Sequence, residues 1–342
     1  MTSTETEPET AESGQPRRRG RRGWRLARRA AITVVTMAVA LTAASFCYNL
    51  ATDGPAPKPS GLRYARGGGF DTRYREWGTS GTPVVLVPGA FETADTFYSL
   101  GPVLAAKHHR VFAIDLIGTG YSAPAQPFST GNMARQVIAF EQAEHLTGSD
   151  APVLLGHSAG AAVAGLVAAG GTRYARGVVF LDGDATPLGR GSGRGGGPAS
   201  LLVDPFKTSL LRIGTSQGWL VKSVYNSMCG PTCPKLNAAG VAAWADPLKQ
   251  PGFSEYLTYE ASGHGIPAMT PPQFRALHAS RVPKLVVFGM HDPQMSASDA
   301  RATARRIGAP APEFVPGRHL TMIASPAQVT ADLDRLVPSG GQ

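Results

Sequence analysis

The 342-residue sequence contains few cysteines and no recognisable cofactor motif. Its three cysteines are Cys47, Cys229 and Cys233, which cannot form a four-cysteine zinc site, and no histidine lies near the last two in sequence. A phosphate-binding glycine loop, a dinucleotide-binding fingerprint and a cluster of metal-ligating residues are also missing. We therefore expect no metal and no organic cofactor.

Charged residues are also few, at 17%, whereas hydrophobic residues make up 42% and can form a sizeable core. The charge is uneven, because residues 1–29 hold eight arginines against four glutamates. A basic tract can bind nucleic acid, but an arginine block directly before an apolar run more often sets membrane topology. We expect residues 1–29 to be disordered and predict no nucleic-acid partner.

Residues 30–50 form a long uncharged run of 21 residues, and about 20 suffice to cross a bilayer as a helix. The preceding arginines predict that the N-terminus lies inside and the rest of the chain outside the cytoplasm. We favour an uncleaved single-pass anchor in which Cys47 is one more apolar residue. The alternative is a cleaved signal peptide and a secreted protein, since residues 39–43 resemble a cleavage site. A proline-bearing linker follows at 51–60.

Outside the cytoplasm, Cys229 and Cys233 are candidates for a disulfide that closes a small loop. Two buried free thiols are the alternative.

From about residue 61, short apolar runs alternate with helix-like segments, which predicts an α/β fold with a mostly parallel twisted sheet and helices on both faces. The alternation stops between Leu181 and Leu285. We interpret 188–280 as a helical lid, entered through a glycine-rich hinge at 189–200, and 61–187 with 281–342 as the core. The candidate strands are Tyr74–Trp77, Pro83–Val87, Val111–Ile114, Val153–Leu155, Val178–Leu181, Leu285–Phe288 and Glu313–Val315.

Two segments match the pattern G-x-S-x-G: GHSAG around Ser158 and GTSQG around Ser216. A nucleophilic serine needs a strained turn between a strand and a helix, and the glycines remove side chains that would collide there. Ser158 follows the apolar run APVLL and precedes a helix of small residues. Ser216 lies in the interval where the strand pattern is interrupted. We therefore predict Ser158 as the nucleophile and a loop in the lid for Ser216.

A serine nucleophile needs a base, and the base needs an orienting carboxylate. In hydrolases whose nucleophilic serine lies on such a strand-to-helix turn, the chain order is serine, acid, histidine. This order favours His319, which lies just after the last predicted strand. Asp292 follows the preceding strand and is the predicted acid. Asp184 follows an earlier strand and remains the alternative acid, while Asp182 is a candidate structural residue.

The sequence resembles the alpha/beta-hydrolase superfamily, in the branch that carries a lid, over about residues 61–336. The resemblance lies in VPGAF (87–91), DLIGTGYS (115–122), GHSAG (156–160), GMHDP (289–293) and PGRHL (316–320). It implies that Ser158 is the nucleophile, His319 the base and Asp292 the orienting acid.

The same resemblance implies an oxyanion hole made by the backbone N–H groups of Ala90 and Ala159. The family often has His-Gly where this chain has Pro88-Gly89. Because the donor is a backbone amide, this difference concerns the geometry of the loop and not the chemistry.

The implied reaction is acyl transfer by a serine hydrolase. Apolar lid residues favour an uncharged, fairly hydrophobic small-molecule ester, although the same residues serve equally well to pack the lid on the core. The triad is also compatible with a carbon–carbon bond hydrolase, a perhydrolase or an acyltransferase. A catalytically silent binding module tethered to the membrane is the alternative from a different class. The lid residues in question are Leu201, Leu202, Val203, Leu210, Leu211, Ile213, Trp219 and Leu220.

Overall fold

The computed structural model describes residues 19–52, 54, 56–187 and 204–337. The chain divides into two units, residues 1–52 and 53–342. In the first unit, α1 spans Arg19–Ala51, and its part Gly23–Ala51 is long and apolar enough to cross a membrane. A signal sequence would satisfy the same criterion. The helix begins at Arg19, inside the segment predicted to be disordered, because arginine, leucine and alanine favour helix and extend it beyond the apolar run.

The second unit is organised around an eight-stranded sheet with the order β1-β2-β4-β3-β5-β6-β7-β8. The pairs β1–β2 and β2–β4 are antiparallel, and the other five pairs are parallel. The strands are β1 (Arg63–Gly67), β2 (Phe70–Trp77), β3 (Thr82–Val87), β4 (His109–Ile114), β5 (Val153–His157), β6 (Gly177–Leu181), β7 (Lys284–Gly289) and β8 (Glu313–Val315).

All seven predicted strands are present, and the mostly parallel sheet is confirmed. The additional strand, β1, lies at the edge of the sheet and pairs only with β2. Its sequence RYARG has one buried residue, Ala65, and contains no apolar run, so the hydrophobic pattern that marks the inner strands is missing there.

Helices cover both faces of this sheet. Successive residues of a strand point to opposite faces, and in β3 the side chains of Val85 and Val87 pack in one core cluster while those of Val84 and Leu86 pack in the other. The first cluster includes residues of α3, α4, α9 and α10, and the second includes residues of α2, α11 and α12. These helices are α2 (Leu100–Ala106), α3 (Thr130–Ala143), α4 (Gly160–Ala168), α9 (Pro271–Ala279), α10 (Ala297–Ile307), α11 (Thr321–Ala324) and α12 (Pro326–Leu336).

Between β6 and β7, the described residues 204–280 contain helices and no strand. They form α5 (Phe206–Ser216), α6 (Gly218–Cys229), α7 (Ala238–Ala245) and α8 (Phe253–Tyr259), followed by α9. Phe274 and Leu277 of α9 belong to the core cluster that also contains residues of α4. The same cluster also contains Phe253 and Tyr256 of α8, so the segment predicted as a lid is packed on the core through both of these helices. The predicted hinge at 189–200 lies outside the described residues.

Candidate active site

A sharp turn between β5 and α4 carries Ser158. Its φ is 49°, in the left-handed region that residues other than glycine rarely adopt. A Cβ at Gly156 would lie 2.4 Å from the carbonyl oxygen of Gly160, and a Cβ at Gly160 would lie 2.4 Å from that of Pro88. The glycines of GHSAG are therefore required for the close approach of the strand, the turn and the helix.

The side chain of Ser158 lies beside that of His319. The Nε2 atom of His319 is 3.0 Å from the Oγ atom of Ser158, and its Nδ1 atom is 2.8 Å from an Oδ2 oxygen of Asp292. Asp292 follows β7 and His319 follows β8, two neighbouring strands of the sheet. The structure thus brings together the three side chains that the sequence singles out as nucleophile, base and acid.

The hydrogen bonds of Asp292 define the tautomer of His319. The Oδ1 atom of Asp292 accepts hydrogen bonds from the backbone N–H groups of Gln294 and Met295, at 2.7 and 3.1 Å. An ionised carboxylate only accepts hydrogen bonds, so the Nδ1 atom of His319 carries the proton and donates it to Oδ2. The lone pair of Nε2 then faces the hydroxyl group of Ser158 and can accept its proton.

The alternative candidates lie in different surroundings. Asp184 accepts hydrogen bonds from the N–H and hydroxyl groups of Thr186, two residues further along the chain. Ser216 does not lie in the predicted loop but is the last residue of α5, where its hydroxyl group donates to the carbonyl of Ile213 at 2.8 Å. The structure therefore places Asp292, and not Asp184, at His319, and it places Ser158, and not Ser216, on a strand-to-helix turn.

The loop after β3 packs against this turn. The N–H of Gly89 donates to the Oε2 atom of Glu92 at 2.9 Å, and the N–H of Glu92 donates to the carbonyl of Gly89 at 3.3 Å. A Cβ at Gly89 would lie 3.0 Å from the Cβ of Ser158. Ala90, the next residue of the loop, and Ala159, directly before α4, are the two predicted oxyanion donors.

Behind Ser158, His157 makes contacts that the sequence did not reveal. Its Nδ1 atom is 2.7 Å from the Oε2 atom of Glu92, and its Nε2 atom is 2.7 Å from the backbone carbonyl oxygen of His319. Burial disfavours the charged ring, but the charge and hydrogen bond of Glu92 and the charge of Asp182 outweigh it and raise the pKa of His157 to about 9. No local pattern predicts this contact, since Glu92 lies 65 residues earlier in the chain.

Asp182 is fully buried at the end of β6 and connects two loops. It accepts hydrogen bonds from the N–H of Gly289, at 2.7 Å, and from the N–H and hydroxyl groups of Thr321. Burial raises the pKa of Asp182 to about 6, against the opposing effects of His157 and His319. These contacts hold the loop that carries Asp292 next to the loop that carries His319.

The end of α6 also contacts the histidine loop. The carbonyl oxygen of Met228 accepts hydrogen bonds from the N–H groups of His319 and Leu320, at 2.8 and 3.2 Å. The next residue, Cys229, forms a disulfide with Cys233. The end of α6 therefore fixes the backbone of His319 at a point next to a covalent cross-link.

A cavity of about 500 Å³ opens onto Ser158 and His319. Residues of α5, α6 and α7 form much of its wall, and the described residues that line it include no lysine or arginine. A larger cavity of about 1070 Å³ is bounded by none of Ser158, His319 and Asp292. The apolar wall of the smaller cavity includes Leu220, Val221, Val224, Trp244, Leu248 and Ile266.

The apolar lid residues predicted from the sequence divide into groups. Leu220 lines the cavity, whereas the side chains of Leu210, Ile213 and Trp219 are exposed. Residues 201–203 lie outside the described residues.

Within the described part of the chain, no group of three histidine, cysteine or carboxylate side chains is arranged to hold a metal ion.

The mostly parallel sheet with helices on both faces, and a serine on the turn after β5, are the architecture of hydrolases built on an α/β sheet. The sequence model of the Alpha/beta hydrolase family matches residues 84–333. The chain belongs to this family.

Two curated proteins share segments of sequence with the chain. One is a serine hydrolase-like protein of Dictyostelium discoideum, 32% identical over 123 residues, which are 34% of this chain and 33% of that protein. The other is the 2-hydroxy-6-oxo-6-(2'-aminophenyl)hexa-2,4-dienoic acid hydrolase of Metapseudomonas resinovorans, 33% identical over 104 residues, 29% of this chain and 34% of that protein. The matches thus cover about a third of each relative.

Among solved structures, a membrane phospholipase A described as a bacterial virulence factor is similar with a TM-score of 0.63 at 18% identity. The likeness covers 94% of this chain and 100% of that chain. At this identity, it shows the fold alone. The family and the names of the relatives support a hydrolase.

Proposed function

We propose that the protein is a serine hydrolase that cleaves an uncharged, hydrophobic carboxylic ester through an acyl-enzyme on Ser158. The observation that carries this proposal is the hydrogen-bonded series Ser158–His319–Asp292 at the wall of an apolar cavity.

In the acylation step, the Oγ atom of Ser158 attacks the ester carbonyl carbon and its proton passes to the Nε2 atom of His319. The imidazolium that forms is stabilised by Asp292, and the tetrahedral oxyanion accepts hydrogen bonds from the N–H groups of Ala90 and Ala159. The intermediate collapses, the C–O bond to the alcohol breaks, and Nε2 returns the proton to the leaving alkoxide.

Deacylation repeats the same proton transfers with water. His319 takes a proton from a water molecule whose oxygen attacks the acyl carbon, and a second tetrahedral intermediate forms. Its collapse breaks the bond to Oγ, and His319 returns the proton to Ser158. The products are a carboxylic acid and the regenerated hydroxyl group.

The composition of the cavity supports an uncharged substrate. Burying a carboxylate without a positive partner is costly, and the described lining has no lysine or arginine. The one carboxylate in the lining, Glu92, already binds His157 and Gly89. A cavity of about 500 Å³ lies within the range of small-molecule sites, about 300–1,000 Å³.

Cleavage of a carbon–carbon bond is the second candidate, because one curated relative is a dienoic acid hydrolase. The cavity favours the ester, since the substrate of that relative carries a carboxylic acid group that would need a cationic partner. Assaying a hydrophobic ester beside a vinylogous 1,5-diketo acid distinguishes the two reactions.

We also propose that α1 remains as a single-pass membrane anchor with the hydrolase outside the cytoplasm. The length and apolarity of α1, with arginines before the apolar run, support this proposal. Mass analysis of the mature N-terminus tests it: an intact α1 supports the anchor, whereas removal of the apolar run supports secretion.

The catalytic proposal is tested with a fluorophosphonate probe and a panel of p-nitrophenyl esters of increasing acyl length. We expect the wild type to be labelled, and we expect Ser158→Ala to lose labelling and to lower kcat by about 10⁶-fold. Ser216→Ala is the matched control and should behave as the wild type. Labelling that survives Ser158→Ala but disappears in Ser216→Ala would refute the assignment, and an unlabelled wild type would favour the silent binding module.

A further inference from the structure

The ring of His157 is buried with a hydrogen-bond acceptor at each nitrogen. Nδ1 faces the Oε2 atom of Glu92 and Nε2 faces the backbone carbonyl of His319, both at 2.7 Å. A neutral imidazole has one N–H group, whereas the protonated ring has two. We propose that His157 is a positioning residue: a buried imidazolium, compensated by Glu92 and Asp182, that fixes the backbone of His319.

The charges around His157 support its protonation. Oε2 of Glu92 also accepts the N–H of Gly89 at 2.9 Å, as expected for a carboxylate oxygen. An oxygen of Asp182 lies 3.7 Å from Nε2, and the side chain of Asp182 is fully buried. Two neighbouring buried carboxylates without a positive charge between them would be strongly unfavourable, so the proton is best placed on His157. His319, with its ring centroid 5.1 Å away, is the other titratable group that faces it.

The geometry shows what this charged group holds in place. The carbonyl of His319 accepts from His157, and the N–H of His319 donates to Met228, so the backbone is held on both sides of the proposed base. At the other end of the same network, Glu92 binds the N–H of Gly89, which precedes the proposed oxyanion donor Ala90. One buried network therefore links the positions of the base and of the oxyanion loop.

The inference rests on the proposed function of Ser158 and His319, but its first test does not use activity. The full-length chain is labelled with [¹⁵N]histidine in detergent micelles, and the signal of His157 is assigned by its loss in His157→Gln. We expect both ring nitrogens of His157 to be protonated at neutral pH in the wild type. In Glu92→Gln the carboxylate is absent, and we expect a neutral ring. A neutral ring in the wild type would overturn the proposal.

The second test measures kcat and KM of Glu92→Gln and His157→Gln, with kcat normalised to the fraction of sites labelled by the fluorophosphonate. Displacement of a catalytic group by about 1 Å can cost about 10²-fold in rate, so we expect kcat to fall by about that factor. KM should change less than about twofold, because the apolar wall is unchanged. A purely structural role would reduce the labelled fraction and leave the normalised kcat unchanged, which would overturn the proposal.

The matched control is His109→Gln. His109 is also fully buried and its Nε2 atom is 2.7 Å from a carboxylate oxygen of Asp334, but it lies at the start of β4, outside the candidate site. We expect its normalised kcat to equal that of the wild type.

If the wild type is not labelled by the fluorophosphonate, the proposed function fails, while the protonation state of His157 is still decided by the spectrum. If Glu92→Gln matches the control in kcat, the positioning role fails instead.

Discussion

Replacement of Asp292 by asparagine should inactivate His319 while leaving it in place. Oδ1 of Asp292 faces two backbone N–H donors, from Gln294 and Met295. The side-chain oxygen of an asparagine would occupy this position, because its NH₂ group would otherwise face donors. The NH₂ group would then point at Nδ1 of His319. Nδ1 would have to accept, the ring proton would move to Nε2, and Nε2 could no longer take the proton of Ser158.

We therefore expect Asp292→Asn to lower kcat by about 10⁴-fold, the loss seen when the same tautomer change is imposed on the serine-protease triad, equivalent to about 5.5 kcal/mol. KM should stay within about threefold, since Asp292 does not line the cavity. Steady-state kinetics on the best ester of the panel, together with the rate of fluorophosphonate labelling, measure both effects.

Asp184→Asn is the matched control, because Asp184 also follows a core strand but binds Thr186. We expect its kcat to stay within about threefold of the wild type, as is usual for a site outside the reacting groups. A loss of activity in Asp184→Asn larger than that in Asp292→Asn would refute the assignment of the acid and the argument about the tautomer.

Two further predictions concern stability. Replacing Cys229 and Cys233 together by serine should lower the free energy of unfolding by about 2 kcal/mol, because the disulfide closes a five-residue loop and reduces the entropy of the unfolded chain by about this amount. An unchanged midpoint in non-reducing denaturant titrations would contradict this. Glu141 is fully buried, burial raises its pKa well above 4.5, and neither carboxylate oxygen has a hydrogen-bond partner. The folded state thus binds this proton more tightly than the unfolded state, and its contribution to stability decreases as pH rises above about 4.5. The stability of Glu141→Gln relative to the wild type should therefore increase between about pH 5 and pH 8, measured by urea unfolding, and a constant difference would show that Glu141 does not titrate in this way.

The fold was predictable because its inner strands are marked locally. Runs such as PVVLV and KLVVF are almost continuously apolar, since both faces of a parallel sheet are covered. The edge strand β1 has no such run, because one of its sides has no strand partner and only one of its five residues is buried. It was missed for that reason.

The position of Ser158 was likewise predictable from neighbouring residues. A strand, two glycines and a helix of small residues are all within a few residues of it, and together they mark the left-handed turn in the sequence. The same neighbouring residues distinguish Ser158 from Ser216, because Ser216 does not lie between a predicted strand and a helix of small residues.

The sequence by itself determined the fold class, the position of the serine turn and the apolar N-terminal run, because each depends on residues close together in the chain. Only the tertiary structure decided which carboxylate reaches His319, since Asp184 and Asp292 both follow core strands and the sheet places the ends of β7 and β8 side by side. It also decided the contacts of His157, whose two hydrogen-bond partners are 65 and 162 residues away in the chain. Contacts of that separation depend on the packing of loops at one edge of the sheet, and no local pattern encodes them.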